Sequence, residues 1–243
     1  MNTIEVLKAW EHAVNCSSIE KSLYLLSLTY SVKDINQLGY ISIGERDARL
    51  LQLREEIFGH KMRNKVNCPN CTETLEWESS TTELHLQTFS NLLDSKEFYL
   101  NQDGYEIHFR LLNSFDISKA IAQSLDYQGY KRILAACILK INKDDNECTM
   151  DYLPESVWEA LDERMRQENP QADIRMQLNC PVCNHNWEMY FDIGTYMWEE
   201  INNWAKRILE EVYLLAKAFS WSEKEILNMS SHRRHLYLEM LQR

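Results

Sequence analysis

Apolar positions in the first sixty residues recur at helical spacing. Ile4, Leu7, Ala9, Trp10, Ala13 and Val14 make one stripe, and Leu23, Leu26 and Tyr30 make a second that Ser17 or Ser18 can cap. A third helix starts at Ser42, where Ser42 and Glu45 have the spacing of a capping box. Leu50, Leu53 and Ile57 set its inner face, Glu45 and Arg49 are expected on its outer face, and Gly59 suits a left-handed stop after Phe58. The texture then becomes extended over Lys61–Asn67, Glu73–Glu78, Phe98–Asn101 and Tyr105–Leu111, with Asp103-Gly104 as a hairpin turn. Helical spacing returns at Ile117–Leu125, at Lys131–Leu139 and from Pro154 to Glu168, where Asn169-Pro170 ends it. A second extended pair, Arg175–Asn179 and Asn186–Phe191, precedes a helical remainder. There Ile201, Ala205, Ile208, Val212, Leu215 and Phe219 step by four and three, a seam that must bury against other helices. Ser222 and Glu225 form another capping box, and a last helix spans Ser231 to Leu241.

This pattern predicts an α+β, mainly helical fold. Helices fill residues 1–60, a small β element with an α/β insertion at about 79–174 fills 61–192, and helices fill 193–243, all in one compact unit. Composition agrees with a globular chain: 44% of the residues are hydrophobic and 26% charged, while six Gly and four Pro leave room for long regular elements. The net charge of −11 argues against nucleic acid as a partner. The densest basic run, His232 to His235 with Arg243, is diluted by Glu239 and reads as a solvated helix face. No apolar run is long enough to cross a membrane, and Met1 to Trp10 lacks a signal-peptide layout, so a cytoplasmic location is expected. In that setting seven cysteines read as thiols or metal ligands, not as a disulfide framework.

Four of them carry the strongest chemical signal. Cys68-Pro69-Asn70-Cys71 and Cys180-Pro181-Val182-Cys183 each place two sulfurs on one tight turn, and two such turns complete a tetrahedral set that suits Zn2+. Each pair lies between extended segments, as in two hairpin knuckles of a zinc ribbon, here separated by an insertion of roughly 110 residues. With four protein ligands no coordination position is left for substrate, so the ion is structural, one per chain. Empty reduced thiols and a redox pair are the alternatives. The redox reading needs a helix N-terminus to lower a thiol pKa, and neither pair sits on one. Thr72 and Asn184 stand where a left-handed residue is expected; Asn tolerates that backbone and Thr is strained in it. Cys16, Cys137 and Cys148 have no partner spacing.

Other motifs fail. Gly39 and Gly44 have phosphate-loop spacing, but Glu45 and Arg46 follow where Lys and Ser or Thr are required. His232 and His235 lack a third ligand at matching spacing, and no acid–base pair stands out, so no enzyme activity and no small-molecule substrate are expected.

Three stretches together resemble a known family. Ile43-Gly44-Glu45-Arg46-Asp47-Ala48 with the helix through Phe58-Gly59 is similar to its N-terminal helix, and the two knuckles are similar to its middle. Phe191-Asp192-Ile193, Trp198-Glu199-Glu200-Ile201, Glu211-Val212, Trp221-Ser222-Glu223, Arg233-Arg234 and Tyr237-Leu238 resemble its C-terminal signature, with Ser220 in place of the glycine of an aromatic-Gly-Trp turn. The family is the baseplate hub assembly chaperones of contractile-tailed phages and of related bacterial contractile injection systems. The resemblance implies a chaperone that helps build the hub or spike of the baseplate and has a hub or spike protein as partner. Trp221, Arg233, Arg234 and Tyr237 are candidate partner-binding residues at a surface, with helix–helix packing at the C-terminus as the alternative reading. A permanent structural baseplate subunit and a zinc-ribbon nucleic-acid-binding protein are the competing readings.

Overall fold

A computed structural model describes residues 3–30, 34–86, 96–122, 127–144, 146–150 and 153–241. The chain opens with α1 (Thr3–Ala13) and α2 (Ser18–Ser27), then a 3₁₀ turn (Ile35–Tyr40) and α3 (Ile43–Phe58). β1 (Lys61–Asn67) and β2 (Thr74–Ser80) form an antiparallel hairpin, followed by the short α4 (Thr81–Leu84). β3 (Phe98–Gln102), β4 (Tyr105–Phe109), α5 (Ser114–Ala122), α6 (Tyr127–Ala135), β5 (Ile138–Lys143), β6 (Asn146–Glu147) and α7 (Glu155–Glu168) come next. A 3₁₀ turn (Pro170–Ala172), the hairpin β7 (Arg175–Asn179) and β8 (Asn186–Tyr190), and α8 (Ile193–Phe219), α9 (Glu223–Leu227) and α10 (Ser231–Leu241) complete the described chain.

The contacts divide the chain into two units, Met1–Ser31 with Gly194–Arg243, and Val32–Ile193. In the first, α8 presents the expected seam: Ile201, Ala205, Ile208 and Leu215 are buried. Leu7 and Leu227 join Ala205 and Ile208 in one apolar cluster, against which Ile4, Trp10, Trp204 and Val212 pack. Fully burying a Leu or Ile side chain contributes about 1.5–3 kcal/mol, so this seam fixes the helices together. Both predicted caps form. Ser17 and Ser222 accept N–H bonds from Glu20 and Glu225, whose carboxylates reach back to the serine N–H groups. Trp10 Nε1 donates to Asn202 Oδ1 at 3.1 Å.

In the second unit the segment between the knuckles has a core of its own. β3-β4-β5-β6 is an antiparallel sheet in that order, and Tyr105, Ile107, Phe109 and Ile141 pack with Leu134, Val157, Trp158, Leu161 and Met165. Asp103 and Gly104 both take positive φ, 54° and 77°, as a two-residue hairpin turn of the primed kind requires. The helix expected over Lys131–Leu139 is corrected here: it stops at Ala135, and Ile138–Lys143 is a strand paired with β4. Residues 138–141 hold three branched apolar side chains whose pairing partner, β4, is thirty residues away, and that pairing overrides the helical spacing read locally. The helix expected over Ile117–Leu125 starts earlier, at Ser114; its last predicted residues, 123–125, lie outside those described, as does Arg243 of the basic run.

A second correction concerns α3. Glu45 and Arg49 pair as expected, Nε to Oε1 at 2.8 Å, but Glu45 is buried and Arg49 largely so, not on an outer face. The start of α3 is held from outside the helix: the Ile43 N–H donates to the Leu112 carbonyl, and Ser42 forms a β-bridge with Asn113. Arg46 therefore turns inward to Asp47 (2.7 Å) and Ser114 (3.3 Å). Burial pushes the Asp47 carboxyl above its ordinary value against the pull of Arg46, and Asp192 adds to the rise.

Candidate metal centre

Each knuckle is the turn of a hairpin whose strands are in register to its last pair, Asn67 with Thr74 and Asn179 with Asn186. The turns are built alike. The Cys68 N–H donates to the Glu73 carbonyl at 2.8 Å, and the Thr72 N–H donates to the Cys68 carbonyl at 2.9 Å. In the second turn the Cys180 N–H donates to the His185 carbonyl and the Asn184 N–H to the Cys180 carbonyl, both at 2.9 Å. Closing the loop so tightly requires a left-handed residue after the second cysteine, and Thr72 (φ 62°) and Asn184 (φ 56°) supply it.

The two turns face each other. Cys68 Sγ lies 3.6 Å from Cys183 Sγ, and Cys71 Sγ lies 3.6 Å from Cys180 Sγ. All four sulfurs fall within 4.8 Å of one another, although the cysteines come from positions more than a hundred residues apart. A tetrahedral ion with metal–sulfur bonds of about 2.3 Å separates its ligand atoms by about 3.8 Å, a value inside this range. The four thiols are therefore within metal-binding distance and compatible with an ion such as zinc. In each knuckle the first cysteine is buried and the second half-exposed, so the sulfurs converge between the turns, not in an open cleft.

Hydrogen bonds to sulfur distinguish the four thiols. The Asn70 side chain and the His185 backbone N–H stabilise the Cys183 thiolate and bring this thiol down to about 6. Cys71 receives the Glu73 backbone N–H, which favours its thiolate. Desolvation and hydrogen bonding with the other three thiols outweigh that and push it up to about 12. Four crowded sulfurs cannot all carry charge by themselves; a divalent cation among them removes that conflict, and this is the physical case for a metal.

Residues the sequence did not single out position the turns. Arg54, almost fully buried near the end of α3, donates to the Gly59 carbonyl at 2.6 Å and the Lys61 carbonyl at 2.7 Å, fixing the entry into β1. Arg175 forks between Asp173 (2.8 Å) and Glu188 (3.0 Å) at the base of the second hairpin. Gln171 ties the 3₁₀ turn before β7 to α4 by donating to the Leu84 carbonyl and accepting the Leu86 N–H, each at 2.8 Å. Only Asn70 carried a local signal, its place between two clustered cysteines. His185 lays its ring on Trp187 with centroids 5.9 Å apart.

The residues proposed to meet a partner divide. Arg234, expected at a surface, is corrected to an interior position: it is 2% exposed, its Nε bonds Glu211 at 2.9 Å and its Nη1 donates to the Met229 carbonyl at 2.8 Å. Trp221 and Tyr237 form a half-buried aromatic group with Phe219, the Trp221 and Phe219 rings stacking at 4.6 Å. Arg233 is exposed and lies over the Tyr237 ring. Ser220, in the glycine position of that turn, is left-handed with φ 57°.

Among the described residues no helix is long and apolar enough to cross a membrane. No curated protein and no solved structure matches the chain. One family model, described as T4 bacteriophage base plate protein, matches residues 25–198. That span includes the Ile43–Ala48 stretch, both knuckles with the insertion between them, and the start of α8, well over half the sequence. On that match the chain belongs to the T4 bacteriophage base plate protein family.

Proposed function

We propose that the protein is a non-enzymatic assembly factor for the hub or spike region of a contractile-tail baseplate, stabilised by one structural zinc held by Cys68, Cys71, Cys180 and Cys183. The observation that carries the reading is the meeting of four sulfurs from two knuckles inside the family-matched span. The zinc acts as a crosslink, and its chemistry is to fix the knuckles, not to activate a substrate. The similarity of the 191–238 stretch to baseplate hub assembly chaperones supports the chaperone role over other baseplate roles.

Native mass spectrometry of protein purified without chelator tests the metal: one zinc per chain is expected, and metal-free chains would sink that part. Co-expression with the hub and spike subunits tests the role: a complex that forms before particle assembly and is depleted from finished particles is expected. The family's description as a base plate protein favours a second reading, a permanent subunit. Fixed copy number in purified particles selects it.

A further inference from the structure

Helix α10 combines features that a helix folded only for its own chain does not need. Five of its eleven residues are large and apolar or aromatic, yet Arg234 is the one it buries. Leu236 and Met240, four apart and on the face opposite Arg234, are 41% and 59% exposed. His232 and Arg233 precede them on the same face, one turn back, and both are exposed. Arg233 lies over the Tyr237 ring, its guanidinium carbon 5.7 Å from the ring centroid. Glu239, at the edge of the stripe, is paired with His235 at 3.2 Å.

Charge distribution narrows the occupant. Residues 194–243 carry seven acidic and seven basic side chains, so the whole net charge of −11 resides in residues 1–193. The exposed Arg233 beside two exposed apolar side chains thus lies in a neutral stretch of an acidic protein. A second copy fits poorly, because an isologous contact would bring Arg233 against its own counterpart and unite two strongly acidic chains.

We propose that the Arg233–Leu236–Met240 face of α10 docks an amphipathic helix of another baseplate subunit, one that presents apolar residues flanked by Asp or Glu. The apolar pair supplies the desolvated centre and Arg233 selects the acidic partner. This inference rests on the assembly role proposed above and names where that role is exercised.

The test titrates the full-length protein with each recombinant baseplate subunit of the same particle, singly, by calorimetry at low and high salt. Wild type is compared with Leu236→Glu, Met240→Glu and Arg233→Glu, and with Tyr99→Glu as an exposed control in the other unit. Because the substituted side chains are exposed, circular dichroism should match wild type. The expected result is one subunit whose affinity falls at least about tenfold in each α10 variant, is unchanged in Tyr99→Glu, and weakens with salt in wild type. A subunit that binds wild type and all α10 variants equally overturns this inference and leaves the assembly role standing. Binding by no subunit overturns both. Concentration-dependent dimers of wild type that the α10 substitutions abolish assign the face to a second copy and also overturn it.

Discussion

Removing the metal should destabilise the unit that holds the knuckles, and the size of the loss follows from where the sulfurs sit in the chain. The close pairs join positions 115 and 109 residues apart, Cys68 with Cys183 and Cys71 with Cys180. Tying an unfolded chain across a loop of about 110 residues removes closure entropy worth about 4.7 kcal/mol at 25 °C. A domain is commonly stable by about 5–15 kcal/mol, so the link accounts for a third of that or more. With a urea slope of about 2 kcal/mol/M, stripping the metal should lower the unfolding midpoint by about 2 M. Tryptophan fluorescence suits the assay, because Trp77 and Trp187 lie in the two knuckle hairpins. Cys180→Ser with Cys183→Ser leaves one intact knuckle that closes only a three-residue loop, and should behave as the stripped wild type does. Cys16→Ser, which is not one of the four clustered cysteines, should change neither midpoint nor metal content. A midpoint that moves by less than about 0.3 M on metal removal would refute the argument, since the loop-closure reasoning requires a shift several times larger.

Other expectations follow from particular residues. Thr72→Asn should raise stability by about 0.5–1 kcal/mol, and Asn184→Thr should lower it by a similar amount, because both sites are left-handed and a β-branched residue is strained there. Thermal unfolding would read this as about 1–4 °C in each direction, and Ser220→Gly should move it upward for the same reason. Arg234→Ala should cost about 3 kcal/mol, for it removes a buried guanidinium and strands the Met229 carbonyl, and Arg234→Lys should recover only part of it; denaturant midpoints check both. The Ser222 side chain and backbone hold Glu225 below the ordinary glutamate range. The stability this carboxylate contributes is present above that range and is lost as pH falls through the lowered value, a step that NMR titration should locate and Glu225→Gln should abolish.

What could be read from the sequence was local. The caps at Ser17 and Ser222, the Asp103-Gly104 turn and the strained positions 72 and 184 depend on residues within a few places of one another, and all are found as predicted. What was misread depended on distant chain. Glu45 and Arg49 carry an outer-face spacing, but residues far along the chain, 112–114 among them, bond to the start of α3, and Glu45 is buried. The strand Ile138–Lys143 exists because β4 offers a pairing edge, and Arg54 matters because two carbonyls beyond its own helix need a donor. Arg234 was read as a surface cation because its partner Glu211 lies 23 residues earlier, on another helix.

The two knuckles differ in what they ask of the rest of the protein. Each closes with its own backbone bonds and its own left-handed residue, so neither requires the other to form its turn. The insertion between them likewise has its own core, drawn from residues 105–165, with no cysteine of the cluster in it. Three locally complete pieces therefore share a unit, and the bonds that join them include Gln171 to the α4 segment and Asn70 to Cys183. Polar bonds of this kind contribute about 1 kcal/mol each and specify position more than they resist separation. The cysteine cluster brings the turn of the first hairpin against the turn of the second. With an ion bound as proposed, the cluster would hold the two ends of the insertion at a fixed distance by a link that lies outside the insertion's own core.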